Sequence, residues 1–259
     1  MKKAEVVAAP GTRFPGADSV LVRRVVRRLE ELVAPRPAQE GERPVGELVI
    51  TWGIALSIAG LLIQTAMHLT NFVAFDGDIN GLDADEDFSA PSWAGISATF
   101  VAGTGALLLG LVLRRGVFFA LAGLFTFLSF DDFMRVHEKI GELGTVVGIG
   151  KEEELGRAIW PLLFLPLLAA GAALIWVAAN QFSGRASWLI RAGLLLLASA
   201  VVFEASSAVL FQLGYEHGSW PYQIEVVLEE GCELVGWTWI ATALLAVACF
   251  ALDRREREA

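Results

Sequence analysis

The residues able to do chemistry in this chain are mostly carboxylates, and several of them interrupt apolar sequence. Asp131 and Asp132 follow the run GVFFALAGLFTFLSF, and Glu204 stands between Phe203 and the small pair Ser206–Ser207. Glu225, Glu229, Glu230 and Glu233 punctuate the start of the last apolar stretch. Of these, Glu225, Glu229 and Glu233 step by four and share a broad helical face with Cys232. Asp131, Arg135, Glu138 and Glu142 step by four, three and four, with His137 beside them, which is one stripe of a continuous helix. His68 stands on the first apolar stretch. Measured from the basic turns at Arg115 and Arg191, Asp131 and Glu204 both lie roughly 20 Å along their helices, at 1.5 Å per residue. These depths predict that Asp131, His137, Glu138, Glu204, Glu229, Glu233 and His68 line one polar pocket.

Carboxylates crowded at low dielectric cannot all stay ionised alone. Either some hold protons, or a divalent metal ion neutralises them. Carboxylates with imidazole suit Zn, Mn or Fe, whereas carboxylates alone suit Ca or Mg. Structural readings stand beside the functional one. Arg135 can pair with Asp131 and Glu138, His137 and Glu138 can be ordinary interfacial residues, and His68 can be a hydrogen-bonded core histidine. Glu204, Glu229 and Glu233 are harder to explain that way, because apolar sequence surrounds them.

The most specific local motif spans residues 76–87, Asp76-Gly-Asp78-Ile-Asn80-Gly81-Leu-Asp83-Ala-Asp85-Glu86-Asp87. Its D-x-D-x-[DN]-G opening, with an acid at the twelfth position, resembles the calcium loops of EF-hand, dockerin and thrombospondin type 3 proteins. That resemblance implies Ca at this loop, held by Asp76, Asp78, Asn80, Asp83 and Asp87. Calcium takes six to eight oxygens, and the glycine at position six allows the sharp turn. The sequence departs from the EF-hand pattern in two places. Asp83 stands where an aliphatic residue is usual, and Asp87 stands where EF-hands carry a bidentate Glu. The competing reading is an acidic loop that simply stays hydrated.

The elements that must carry these groups follow from hydropathy. Of 259 residues, 55% are hydrophobic and 19% charged, more apolar than ordinary soluble domains, and the apolar residues come in blocks. A run of ~18 or more apolar residues can cross a ~30 Å hydrocarbon core. Six such stretches occur, at 49–75, 94–113, 116–136, 158–180, 187–213 and 223–252. The fold class is therefore all-α, a polytopic membrane helix bundle of about six transmembrane helices occupying 47–252, with an acidic outer loop at 76–93 and a short tail at 253–259. Trp52, Trp93, Trp160, Trp188 and Trp220 fall near span ends as interface anchors, while Trp237 and Trp239 lie deeper.

Charge sets the orientation. Sixteen of the 20 Lys and Arg lie in the N-terminal arm, the Arg114–Arg115 and Arg185–Arg191 turns and the tail, whereas 19 of the 29 acids lie in the other half. Positive residues stay inside, so both termini are expected in the cytoplasm of a cell-membrane protein. The acidic outer face draws cations and repels anions, and it argues against nucleic acid as a partner. Within the arm (1–46), residues 20–33 place apolar side chains opposite Arg23, Arg24, Arg27 and Arg28. This suits an amphipathic helix on anionic inner-leaflet lipid, or equally one docked on the protein's own loops. A Pro/Gly/charged linker follows at 34–46.

Three functional classes remain: a metal-dependent membrane enzyme, a cation or proton transporter, and an accessory subunit with a structural ion-pair network. Glu-x-x-His pairs of di-metal bundles are missing, as are paired broken helices of two-fold transporters. What the three classes share is cation binding by an outward-facing intramembrane pocket.

Overall fold

The computed structural model describes residues 44–86, 88–136, 139 and 153–258, with side chains of the fourth helix described from Phe164 onward. The arm at 20–33, Asp87, His137 and Glu138 lie outside these residues. Among the described residues there are six α-helices, α1 Val45–Phe75, α2 Ala90–Leu113, α3 Gly116–Met134, α4 Glu153–Ala179, α5 Gly184–Gln212 and α6 Trp220–Glu258, and no strand. A single 3-10 turn, Asn80–Leu82, interrupts the outer loop. Five of the helices are long and apolar enough to cross a membrane, and α4 adds the apolar stretch Phe164–Ala179. The protein is a multi-pass membrane helix bundle.

Helix ends follow local chemistry. Pro44 precedes α1, where its missing N–H costs nothing, and Glu47 faces the positive helix start. Ser89 caps α2 by accepting the Ser92 N–H at 3.2 Å, with Pro91 in the first turn. Asp76, Arg114 and Arg135 each take a left-handed conformation, with φ of 53°, 53° and 55°, and so close α1, α2 and α3. The third of these corrects an expectation. The helix bearing Asp131 ends at Met134, so the four-three-four stripe through Arg135 to Glu138 is broken at its second member. At the other end, α6 runs on through residues 253–258.

Helix α6 is the hub, packing on α1, α2 and α5, while α3 leans on α2 and α4 lies against α5 and α3. Small residues let α6 sit this close. A Cβ on Gly193 of α5 would stand 2.7 Å from the Gly236 carbonyl oxygen, and one on Gly236 would stand 2.9 Å from that of Gly193. In lipid, where no hydrophobic drive separates helix from solvent, such backbone approach supplies the packing. Phe118, Phe125, Leu109, Leu189, Ile240 and Leu244 fill the core.

Helix α1 shows the solvent for which the fold is made. Trp52, Leu56 and Ile63 are exposed by 60% or more, whereas the buried positions include Ser57, Gln64, His68 and Asn71. Apolar residues face outward and polar ones inward, as expected where the surroundings are hydrocarbon. Trp52, Trp93, Trp188 and Trp220 are exposed and Trp237 is buried, as their positions along the spans predict.

Candidate functional site: an acidic cluster beside the 76–89 loop

The two ends of the bundle differ in charge. At one end, Arg185 bonds Glu47 at 2.9 Å, Arg115 bonds Gln181 at 2.6 Å, Arg191 bonds Asn180 at 2.8 Å, and Arg255 reaches the Val112 carbonyl. The opposite end gathers the carboxylates. Glu229 lies within electrostatic reach of Glu204, Glu225, Glu230 and Glu233, and Glu230 within that of Glu233, Asp85, Asp132 and Glu204. Three helices and the outer loop therefore contribute to one acidic neighbourhood. Glu229 and Glu230 are half-buried.

Helical phase explains which acids arrive. On α3, Phe125 meets Trp237 of α6 edge-on at 5.5 Å, and Asp132 lies seven residues further on that face. Leu124 instead packs against Gly171 of α4, and Asp131 lies seven residues beyond it. The α3 acid within reach of Glu230 is Asp132, while Asp131 is buried. Glu204, Glu229 and Glu233 do share a neighbourhood, joined by Glu230 and Asp85. Asp132, Glu204, Glu225 and Glu233 are all engaged by neighbours, as are Asp131 and Arg135. His217 is exposed at the rim, 4.7 Å from the Phe211 ring and 4.9 Å from that of Tyr222. Cys232 and Cys249 are free thiols.

The outer loop closes this end by inserting residues 83–85. Ala84 is buried with Tyr222, Val226 and the half-buried Phe211. On one side of it Asp83 Oδ1 stands 3.0 Å from His68 Nδ1, and on the other Tyr222 donates to Asp85 at 2.8 Å. Asn71 anchors the loop start, its Oδ1 accepting the Ile79 N–H at 3.0 Å and its carbonyl accepting that of Gly77 at 3.1 Å. Burial alone would push the Asp83 carboxyl up. The His68 hydrogen bond, the Asp85 backbone N–H and the imidazole charge together hold it below the usual carboxylate range.

This geometry differs from that implied by the calcium-loop resemblance. The left-handed glycine is Gly77 with φ 81°, while Gly81 sits inside the 3-10 turn. Asp76, Asp78 and Asn80 are exposed, and Asp83 turns inward to His68. Among the described residues, no three His, Cys, Asp or Glu side chains stand at the spacing of a metal centre.

His68 belongs to a series that its own type did not reveal. Gln64, His68 and Asn71 step by four and three along the buried face of α1. Polar residues at helical spacing in an apolar span are the sequence signal for this wall, and for its contact with Asp83.

Fold and site together define a polytopic helical membrane protein with a cluster of carboxylates beside an inserted loop. The chain belongs to the family described as Domain of unknown function (DUF8692), whose model matches residues 48–249 and thus nearly the whole bundle. No curated protein and no solved structure matches the chain.

Proposed function

We propose that this protein binds divalent cations from the outer side of a cell membrane at the acidic cluster, with both termini in the cytoplasm. The supporting observation is the gathering of carboxylates from α3, α5, α6 and the outer loop around Glu229 and Glu230. Each ionised acid at membrane depth costs ~2.5–3.5 kcal/mol on insertion scales, so several together need positive charge close by. On the facing helix, His68 and Gln64 each bury a polar atom, Nε2 and Oε1, without a hydrogen-bond partner. The orientation rests on the arginine-rich end, which the positive-inside rule assigns to the cytoplasm. Exposed Asp76 and Asp78 concentrate cations at the entrance, and a calcium ring within the loop is no part of this reading, since Asp83 is committed to His68.

A second reading, proton uptake by the same acids, is favoured by the absence of ligating triads among the described residues. The experiment separates the two. Detergent-purified protein is stripped with chelator, titrated with Mn2+, Zn2+ and Ca2+ by calorimetry, and compared with Glu229→Gln. Cation uptake in the wild type that weakens at least ~10-fold in the variant supports the proposal. If no cation binds and protons are released as pH rises, in a step missing from Glu229→Gln, the proton reading replaces it.

A further inference from the structure

Of Arg115, Arg185, Arg191 and Arg255 at the basic end, Arg185 alone pairs with a carboxylate among the described residues, that of Glu47. Arg115 and Arg191 instead donate to neighbouring amides, Gln181 Oε1 at 2.6 Å and Asn180 Oδ1 at 2.8 Å. An amide oxygen fixes the direction of a guanidinium without cancelling its charge. Arg191 is the more closely held of the two, because its guanidinium carbon also stands 5.1 Å from the centre of the Trp176 ring. Its bond to Asn180 uses Nη2. Among the described residues, Nε and Nη1 of Arg191 have no acceptor, and no carboxylate lies within ion-pair distance.

This cation belongs to a lipid-facing stripe. Trp188, Arg191, Leu195 and Val202 are all exposed and step by three, four and seven along α5. Arg191 lies seven residues into the helix from Gly184, ~10 Å by helical rise. Its side chain runs back toward the rim, since Asn180 follows Ala179, the last residue of α4. Trp176, exposed in the final turn of α4, supplies a flat wall. An arginine that climbs from an apolar stripe to the interface holds its head among lipid phosphates and its stem among acyl chains. Tryptophan at that level is an interface residue too. Closing the α4–α5 turn is a structural use for Arg191, and the bond to Asn180 is enough for it. The stack on Trp176 and the remaining N–H groups of the fork are not needed for that use.

We propose that Arg191, stacked on Trp176 and steered by Asn180, binds the phosphate of an anionic phospholipid in the leaflet at the basic end, with an acyl chain along Leu195 and Val202. The planar fork matches two phosphate oxygens as a point charge does not. A zwitterionic headgroup brings its own cation, so a guanidinium without a carboxylate favours a lipid of net negative charge. The occupant is a lipid rather than a free anion, because the stripe beside the guanidinium is apolar and faces hydrocarbon. This inference is independent of the cation reading at the opposite end.

The whole chain in neutral detergent is mixed with phosphatidylglycerol or phosphatidylcholine, and retained lipid is counted by native mass spectrometry. The wild type should hold at least one phosphatidylglycerol more firmly than phosphatidylcholine. Arg191→Gln should weaken that lipid by about 5-fold, the worth of one basic residue at an anionic surface. Arg185→Gln, at a position already paired with Glu47, should leave it in place. Arg191→Lys and Trp176→Leu separate a built site from surface charge. Both should lose the lipid, because lysine keeps the charge without the fork or the stack, and leucine removes the platform. The arm's arginines are present in every variant, so the differences report this corner alone. Equal retention of the two lipids by the wild type, or unchanged retention in Arg191→Gln, overturns the inference. Full retention in Arg191→Lys also overturns it, by assigning the lipid to surface charge. Displacement by excess inorganic phosphate does so as well, by making this a site for a free anion. If Arg191→Gln melts early in detergent alone, Arg191→Lys and Trp176→Leu decide the matter.

Discussion

At the basic end of the bundle, Arg115, Arg185, Arg191 and Arg255 are answered by oxygens of Gln181, Glu47, Asn180 and Val112. At the acidic end, carboxylates have other carboxylates for neighbours. Long, flexible arginines at a membrane edge can reach partners on adjoining helices and still touch water. Short acids on helix walls deeper in the bundle have less reach and depend on the groups that packing brings beside them. The difference is one of reach: the basic end meets its charges at the rim, the acidic end within the packed bundle.

The largest way to break this contrast is to unseat both ends together. Gly236→Leu would drive a side chain against the Gly193 carbonyl at the α5–α6 crossing. Overpacking of this kind costs ~1–3 kcal/mol or more, so thermal unfolding in detergent should move sharply down and the monodisperse elution peak should diminish. An unchanged melt would mean that the crossing is looser than its geometry indicates.

A smaller change should touch the acidic end alone. Asp83→Asn and Tyr222→Phe each remove a bond that holds the inserted loop, and bonds to charged groups are worth roughly 1.5–3 kcal/mol. Hydrogen exchange at residues 79–86 should accelerate in both variants, with the Arg185–Glu47 end unaffected. The pH dependence has a definite sign. Asp83 has a folded value below its ordinary 3.8, so its contribution is complete above 3.8 and is lost as pH falls through the lower folded value. Loop protection in the wild type should therefore fall in that acid range, and Asp83→Asn should lack the transition.

The smallest effect belongs to the basic end. Arg185 and Glu47 form an exposed pair, and Arg185→Gln should shift stability by no more than ~0.5 kcal/mol, with the shift vanishing in salt. A larger loss would show that this end, too, depends on its charges.

Sequence by itself determined the solvent, the all-helical class and the separation of acids from arginines. Those properties depend on composition over whole spans, and a block of apolar residues reads the same whichever way the helix turns. Helical phase was hidden for the same reason. In lipid the outward face is as apolar as the inward one, so α3 shows no stripe to say whether Asp131 or Asp132 points to α6. Only the contacts of Leu124 with Gly171 and of Phe125 with Trp237 decided it. The end of α3 was hidden as well, because a left-handed Arg135 has no glycine to announce it. Asp83 is the sharpest case. Within the loop its spacing reads as one acid of a calcium ring, and it took the packing of Ala84 against Tyr222 and Val226 to bring it to His68, across a separation of roughly 50 Å of fully extended chain. A sequence lists the donors and acceptors, but which of them meet depends on how the helices rotate and how deep the loop is pressed, and that is settled by shape and burial across the bundle.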